Sequence, residues 1–328
     1  MAIAFSGIIS SWVKTWLVLG DPIGDAHAWP EIIDGLTAEA RAAGAILAIY
    51  KVTDRSKALW EARGYRLDPL GEEGVIDVQN FTTIGSAFRE LRRKVSSARK
   101  ANVVIELFEA GQAPMSALHD VASSWRDEKN GIEQTFSMGH WQTGFTARHK
   151  VLVASISGDA VAFLSCWISG EGQEWMIDLM RQKPITPNGT MHALMVHAIE
   201  AARGAGARRL NLCAAPMAGL DKCTRQTAWT RIGHKFYDRL DYRHGLSGVR
   251  RFKAAFRPDW SQRYLASRNL LNAVEALNAA YSLISLPGQS VLYETPRSPV
   301  LPCPENAKTD SAAQDLSEDT LPAAKRVA

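Results

Sequence analysis

Asp178 and Arg181 stand three residues apart at the end of the apolar run Trp175–Arg181. A carboxylate there can orient a hydroxyl or take its proton, and a guanidinium can hold a phosphate in a bidentate fork. Ligands of open α/β sheets tend to bind at such strand ends. The plainer alternative is a structural ion pair closing a strand. Two basic clusters offer a second kind of chemistry. Arg89, Arg92, Arg93, Lys94, Arg99 and Lys100 fall within twelve residues, against the single acid Glu90. Arg250, Arg251, Lys253, Arg257 and Arg263 fall within fourteen, interleaved with Phe252, Phe256, Trp260 and Tyr264. Cations among aromatics suit a nucleic-acid end or a lipid headgroup. Solvated amphipathic helices with core-facing aromatics would give the same pattern. Cysteines at 166, 213, 223 and 303 show no C-x-x-C spacing, so neither a zinc site nor a redox motif is expected.

These side chains need a scaffold, and the chain is long enough to build one. Its 328 residues, 46% hydrophobic and 22% charged, suit about two globular domains and exclude wholesale disorder or a disulfide miniprotein. No uncharged apolar run reaches the roughly 18 residues of a membrane span. The apolar start ends at Lys14 with no basic flank before it, so no signal peptide is expected. Net charge is +4, and four basic against six acidic residues from Pro287 onward leave the preceding body at +6, which suits anionic partners. That tail, 287–328, is rich in Pro, Ser, Ala and acid and reads as disordered.

Along the body, the patterning predicts strands at 16–20, 46–52 and 74–78, with helices over 28–44, 55–63 and 83–100. A second half follows with strands at 103–108, 151–156, 160–168, 173–180 and 209–213, and helices over 114–127 and 189–203. Met191, Leu194, Met195, Ala198, Ile199 and Ala202 share one face of the last helix. Residues 264–286 read as an amphipathic helix closed by Pro287. The order of elements in the second half is that of an N-acetyltransferase-type domain, with a weaker version in the first. The expected fold class is therefore α/β (α+β), tandem acyltransferase-like domains with mixed, largely antiparallel sheets. The division is 1–105, 106–265, a helix over 266–286 and the tail. A coenzyme A pyrophosphate loop would open the 189–203 helix, but Thr186-Pro187-Asn188-Gly189-Thr190-Met191 keeps one glycine and no basic first residue. Acetyl-CoA is not the expected donor.

Several stretches stand in one order: GDPIG (20–24), LGEEGVIDVQNF (70–81), LRRKVSSARK (91–100), FSMGHW (136–141), DLMR (178–181), NGTMHALM (188–195), NLCAAPMAGL (211–220) and GVRRFKAAFRPDWSQRYL (248–265). Together they resemble the C-terminal synthase domain of bacterial phosphatidylglycerol lysyltransferases, the multiple peptide resistance factor family, over about residues 16–265. The chain departs from that pattern near Cys213, where a glycine is expected, and at His192, where an acid is common.

The resemblance implies transfer of an aminoacyl group, lysine first and alanine next, from aminoacyl-tRNA to a glycerol hydroxyl of phosphatidylglycerol. The setting would be the cytoplasmic face of the bacterial membrane, where the product lowers negative charge and the attraction for cationic antimicrobial peptides. A flippase domain of many transmembrane helices often precedes such a domain, so this chain would be an excised domain or a short stand-alone form. The donor is already activated, so no cofactor or metal is implied. Within that reading Asp178 orients or deprotonates the hydroxyl, and Arg181 binds the lipid phosphate. Lys253 and Arg257 hold phosphate or stabilise the oxyanion, with Arg250 and Arg251 in the same cluster. His140 is a candidate proton carrier. Arg92, Arg93 and Lys94 dock tRNA or anionic lipid. Three alternatives stay open: another acceptor such as a peptide or peptidoglycan precursor, a non-catalytic lipid- or RNA-binding module, and an ordinary acetyltransferase.

Overall fold

The computed structural model describes residues 15–128, 136, 139–216, 229, 231–233, 235 and 247–285. The expected disordered tail therefore lies outside the described residues. One nine-stranded sheet organises the rest. Its strands are β1 (Thr15–Leu19), β2 (Ile46–Val52), β3 (Arg66–Asp77), β4 (Val104–Phe108), β5 (Lys150–Ile156), β6 (Asp159–Ile168), β7 (Glu174–Gln182), β8 (Arg209–Pro216) and β9 (Asp259–Ser267). The order across the sheet is β1-β2-β9-β3-β8-β7-β6-β5-β4. Only β1–β2 and β7–β8 pair in parallel, and the other neighbours are antiparallel. The sheet is thus mixed and largely antiparallel, as the sequence led us to expect.

Helices cover both faces because the strands are apolar on both sides. In β5, Leu152 and Ala154 face the core beneath α6 (Thr190–Gly204), while Val151 and Val153 face the core beneath α4 (Met115–Glu128). In β1 the alternation repeats, with Leu17 in one core and Val18 in another under α1 (Trp29–Ala42). The remaining helices are α2 (Asp54–Glu61), α3 (Arg89–Lys100), the single turn α5 (Thr143–Thr146), α7 (Ser247–Ala254) and α8 (Leu270–Ser285).

Three differences from the sequence reading have physical causes. Residues 264–267 are strand, and the helix starts only at Leu270. Tyr264, Leu265 and Ala266 are claimed by ladders to β2 on one side and β3 on the other, and Asn269 caps the helix through its side-chain oxygen to the N–H of Asn272 at 2.9 Å. The strand expected at 74–78 begins at Arg66, despite Pro69 and Gly71, because β8 and β9 both pair with it; a register shift absorbs the proline and glycine. The basic helix starts at Arg89 instead of 83, after Gly85 turns the chain at φ 96°. The 105/106 division falls inside β4, and β9, grouped by sequence with the second half, pairs with β2 and β3 of the first. No linker separates the halves at these points.

Gly189 fixes how α3 meets α6. Its φ is 94°, and a Cβ built there would lie 2.0 Å from the main-chain oxygen of Lys94. Both the left-handed backbone and the contact demand glycine. Gly189→Ala is expected to destabilise the fold by at least about 2 kcal/mol, measured as a lowered urea midpoint at unchanged slope. A neutral result would mean α3 is not seated on this turn.

Candidate functional site

The site lies where β7 and β8 part. The two strands pair only through Glu174, Trp175 and Met176 against Arg209, Leu210 and Asn211. Beyond Met176 their facing main-chain groups need other partners. Side chains supply them. The Cys213 thiol donates to the Ile177 carbonyl at 2.9 Å. Lys253, reaching in from α7, donates to the carbonyls of Cys213 and Ala214 at 3.2 and 2.9 Å. Cys213 takes a left-handed φ of 60°, the conformation that suits the glycine expected nearby. The N–H of Cys213 is held at 2.8 Å by the Asn211 side chain.

Asp178 sits at an irregularity in β7. The β6–β7 register shifts between Leu164 and Cys166, and the N–H of Leu179 turns to the Ser165 hydroxyl at 3.1 Å. A bulge re-aims its side chains. Here it turns Asp178 toward His149, Trp167, Gly139 and His140. Burial raises the Asp178 carboxyl to about 6, against the opposing pull of Arg181, a hydrogen bond from Trp167 and the nearby His140. Gly139 lies so close that a Cβ would meet the Asp178 Oδ1 at 2.1 Å. His149, fully buried, places Nδ1 3.5 Å from the Asp178 Oδ2, with its ring against Trp167 at 4.1 Å and Phe145 at 5.3 Å. Burial lowers His149 to about 4, so it is neutral at physiological pH.

On the β8 side, burial lowers the Lys253 ammonium to about 8. Beyond it, Glu73 accepts from Arg263 at 2.6 Å and from Asn211 at 2.9 Å. Burial would raise that carboxyl, but the paired guanidinium outweighs it and holds Glu73 below its ordinary value. Lys51, at φ 71° where the β2–β9 register shifts, lies by the same charges, and burial lowers its ammonium. A small cavity is lined by Tyr50, Lys51, Leu70, Gly71, Ala214 and Arg263.

The structure thus brings Asp178, Arg181 and His140 together, with Lys253 of α7 on the β8 side; the charges of Asp178 and Lys253 both reach Cys213. Arg181 is no simple ion-pair partner: its guanidinium lies 3.7 Å over the Trp125 ring. Arg250 is committed to Glu72 at 2.9 Å and stacks on Trp260 at 3.7 Å, so it anchors α7. Arg251 and Arg257 are exposed, the latter 5.7 Å from the Phe88 ring. Arg92, Arg93 and Lys94 lie apart on α3. Arg92 holds the carbonyls of Thr83 and Gly85, Arg93 pairs with Glu90 at 2.6 Å, and Lys94 donates to Asn188 at 3.1 Å. His192 packs on Phe252 at 4.8 Å. Sequence reading passed over His149, Lys51 and Glu73. The signal for the last two was a charge inside an apolar strand, in Ile46–Val52 and in LGEEGVIDV. His149 offered none. Among the described residues, no group of three or more His, Cys, Asp or Glu could hold a metal.

Asp178 carries a pH-dependent cost. Its folded pKa is above the ordinary carboxylate value, so the neutral form is favoured, and stability present near pH 4 is lost as pH rises through about 6. The isosteric Asp178→Asn is expected to stabilise the fold above pH 7 by up to about 3 kcal/mol and by nothing near pH 4. Denaturant melts at the two pH values check this, and equal effects at both would refute it.

A family model described as "Phosphatidylglycerol lysyltransferase, C-terminal" matches residues 7–267. The phosphatidylglycerol lysyltransferase of Bacillus subtilis (strain 168) is 26% identical over 255 residues, 77% of this chain and 30% of its own length. That of Staphylococcus aureus (strain MRSA252) is 24% identical over 271 residues, 82% of this chain and 32% of its own. The chain therefore spans about a third of these relatives. A crystal structure of the C-terminal domain of a lysylphosphatidylglycerol synthetase from Agrobacterium fabrum superposes with TM-score 0.74 at 30% identity, covering 86% of this chain and 85% of that one. L-PGS from Bacillus licheniformis gives the same TM-score and coverage at 25% identity.

Proposed function

The chain belongs to the phosphatidylglycerol lysyltransferase C-terminal family, and from that premise we propose that it transfers an aminoacyl group, lysine first among the candidates, from aminoacyl-tRNA to a glycerol hydroxyl of phosphatidylglycerol. The observation that carries this reading is a carboxyl buried and raised to about 6 at the parting of β7 and β8, with Arg181 beside it and the Lys253 ammonium across the gap. A carboxylate in that range can take a hydroxyl's proton near neutrality.

The step is an ester exchange. The glycerol oxygen attacks the ester carbonyl carbon while Asp178 takes its proton. The tetrahedral oxyanion collapses, the bond to the tRNA ribose oxygen breaks, and that oxygen takes the proton. Lys253 gives two of its three N–H bonds to main-chain carbonyls and offers the third to the oxyanion. Arg181, stiffened on Trp125, holds the lipid phosphate, and the buried His149 ring packs beside the Asp178 carboxyl. His140 relays protons at the same carboxyl, and Arg257, Arg251 and Arg92 meet tRNA or lipid from the surface. The setting is the cytoplasmic face of a bacterial membrane, with a flippase as partner domain. Among the described residues, no helix is long and apolar enough to cross a membrane.

The test mixes the purified chain with phosphatidylglycerol vesicles and tRNA charged with labelled lysine or alanine, and counts label in the lipid extract. Label is expected from one of them, falling at least about 100-fold in Asp178→Asn. The rate should rise with pH through about 6 as Asp178 ionises and fall above about 8 as Lys253 loses its proton. No label from either tRNA, or an unaffected Asp178→Asn, would sink the proposal.

A further inference from the structure

Two isoleucines stand almost bare of protein. Ile84 is 81% exposed and Ile185 is 96% exposed. A large aliphatic side chain gains from leaving water, and two of them flanking one basic face suit a partner with an apolar layer behind its charges. Both tips belong to loops fastened to one helix. Arg92 of α3 holds the carbonyls on either side of Ile84, those of Thr83 and Gly85, and Lys94 binds Asn188 in the loop that carries Ile185. Between these fastening points, α3 buries Leu91 and Ala98 and turns Arg89, Arg93 and Lys100 outward on the opposite side, with Arg92 and Arg99 also exposed. Glu90 is the helix's single acid. Exposed Arg257 extends the charge from the α7 side, near Phe88.

We propose that this face, the basic side of α3 with Ile84 and Ile185 at its flanks, seats the protein on an anionic lipid bilayer, the isoleucines entering the headgroup–acyl boundary and the arginines meeting lipid phosphates. The charge suits either a bilayer or an RNA backbone. The isoleucines decide for the bilayer, because a sugar–phosphate surface offers them no apolar medium, whereas an interface does. The geometry also serves the reaction. Ile185 lies four residues beyond Arg181 and three beyond the end of β7, so docking there would bring the Arg181 end of the strand toward the lipid. The proposal rests on the lipid-acceptor reading above and adds where the chain meets its substrate's membrane.

The test uses the 328-residue chain and sedimentation with phosphatidylglycerol–phosphatidylcholine vesicles. The double variant Ile84→Asp/Ile185→Asp is expected to lower vesicle partitioning by about tenfold or more, and binding of the parent chain should weaken as salt rises. A single tryptophan reporter is not available in a chain with ten tryptophans, so insertion is read from an acrylodan label on Ile185→Cys, compared with the identically treated parent chain and its four native cysteines. Its emission is expected to shift blue with anionic vesicles and to stay put with tRNA. Aminoacyl transfer to detergent-dispersed phosphatidylglycerol is expected to be unchanged in the double variant. Unaltered vesicle partitioning, or a loss of tRNA affinity in its place, overturns the docking face. If vesicle binding, its loss in the double variant and the blue shift all appear but no preparation transfers label, the docking face stands and the transfer reading falls.

Discussion

Everything distinctive about the site follows from main-chain groups that a parted sheet leaves without a ladder. β7 and β8 begin as ordinary parallel neighbours and separate after three residue pairs. Buried carbonyls and N–H groups left open would each cost on the order of 1–3 kcal/mol. The chain closes them with side chains, Cys213 to Ile177 and Lys253 to Cys213 and Ala214, while Ser165 takes the Leu179 N–H at the β6–β7 irregularity beside the gap. Those substitutions have consequences. A lysine enlisted as a main-chain donor must be drawn into the interior, which weakens its hold on the third proton. A strand bulged at Asp178 must bury a carboxyl, which raises its affinity for one. The pair that could move and stabilise charge is made by the same geometry that repairs the sheet.

The electrostatics then divide cleanly across the gap. Glu73 is paired with Arg263 and Asn211 and stays ionised. Among the described residues Asp178 has weaker partners, the charge of Arg181, a hydrogen bond from Trp167 and the nearby His140, beside a neutral His149, so desolvation dominates. Two carboxyls in one region are thereby given different proton affinities by environment alone. The cost appears as stability withheld at neutral pH.

The two halves of the chain are bound at the middle of the sheet. β9 comes late in sequence yet lies between β2 and β3, and β3 joins it to β8. α7, which delivers Lys253, and β9, which delivers Arg263, adjoin each other in the chain. Long-range pairing thus places the charged cluster of the first half beside the parting strands of the second.

Local physics made most elements legible. Strand 46–52 and the helix near 190–204 were written in apolar periodicity, and DLMR marked Asp178 as chemically interesting, although β7 runs on to Gln182 and leaves Asp178 at a mid-strand irregularity rather than at the strand end. Periodicity also favoured helix across 264–267, and proline and glycine argued against strand at 66–73; in both places two neighbouring strands supplied hydrogen bonds that local preference could not foresee. The basic clusters could be counted but not sorted. Only the packed molecule shows Arg250 bound to Glu72, Lys253 drawn inside and Arg93 left outside, because burial depends on which face of a helix meets which strand. His149 shows the limit most plainly. Nothing in its neighbours along the chain marks it, and its place beside Asp178 exists only because β5, β6 and β7 lie side by side. The sequence alone carried the family resemblance, most of the element types and the carboxyl as a candidate. The tertiary structure decided which charges are desolvated, since proximity and dielectric are properties of the fold and not of the order of residues.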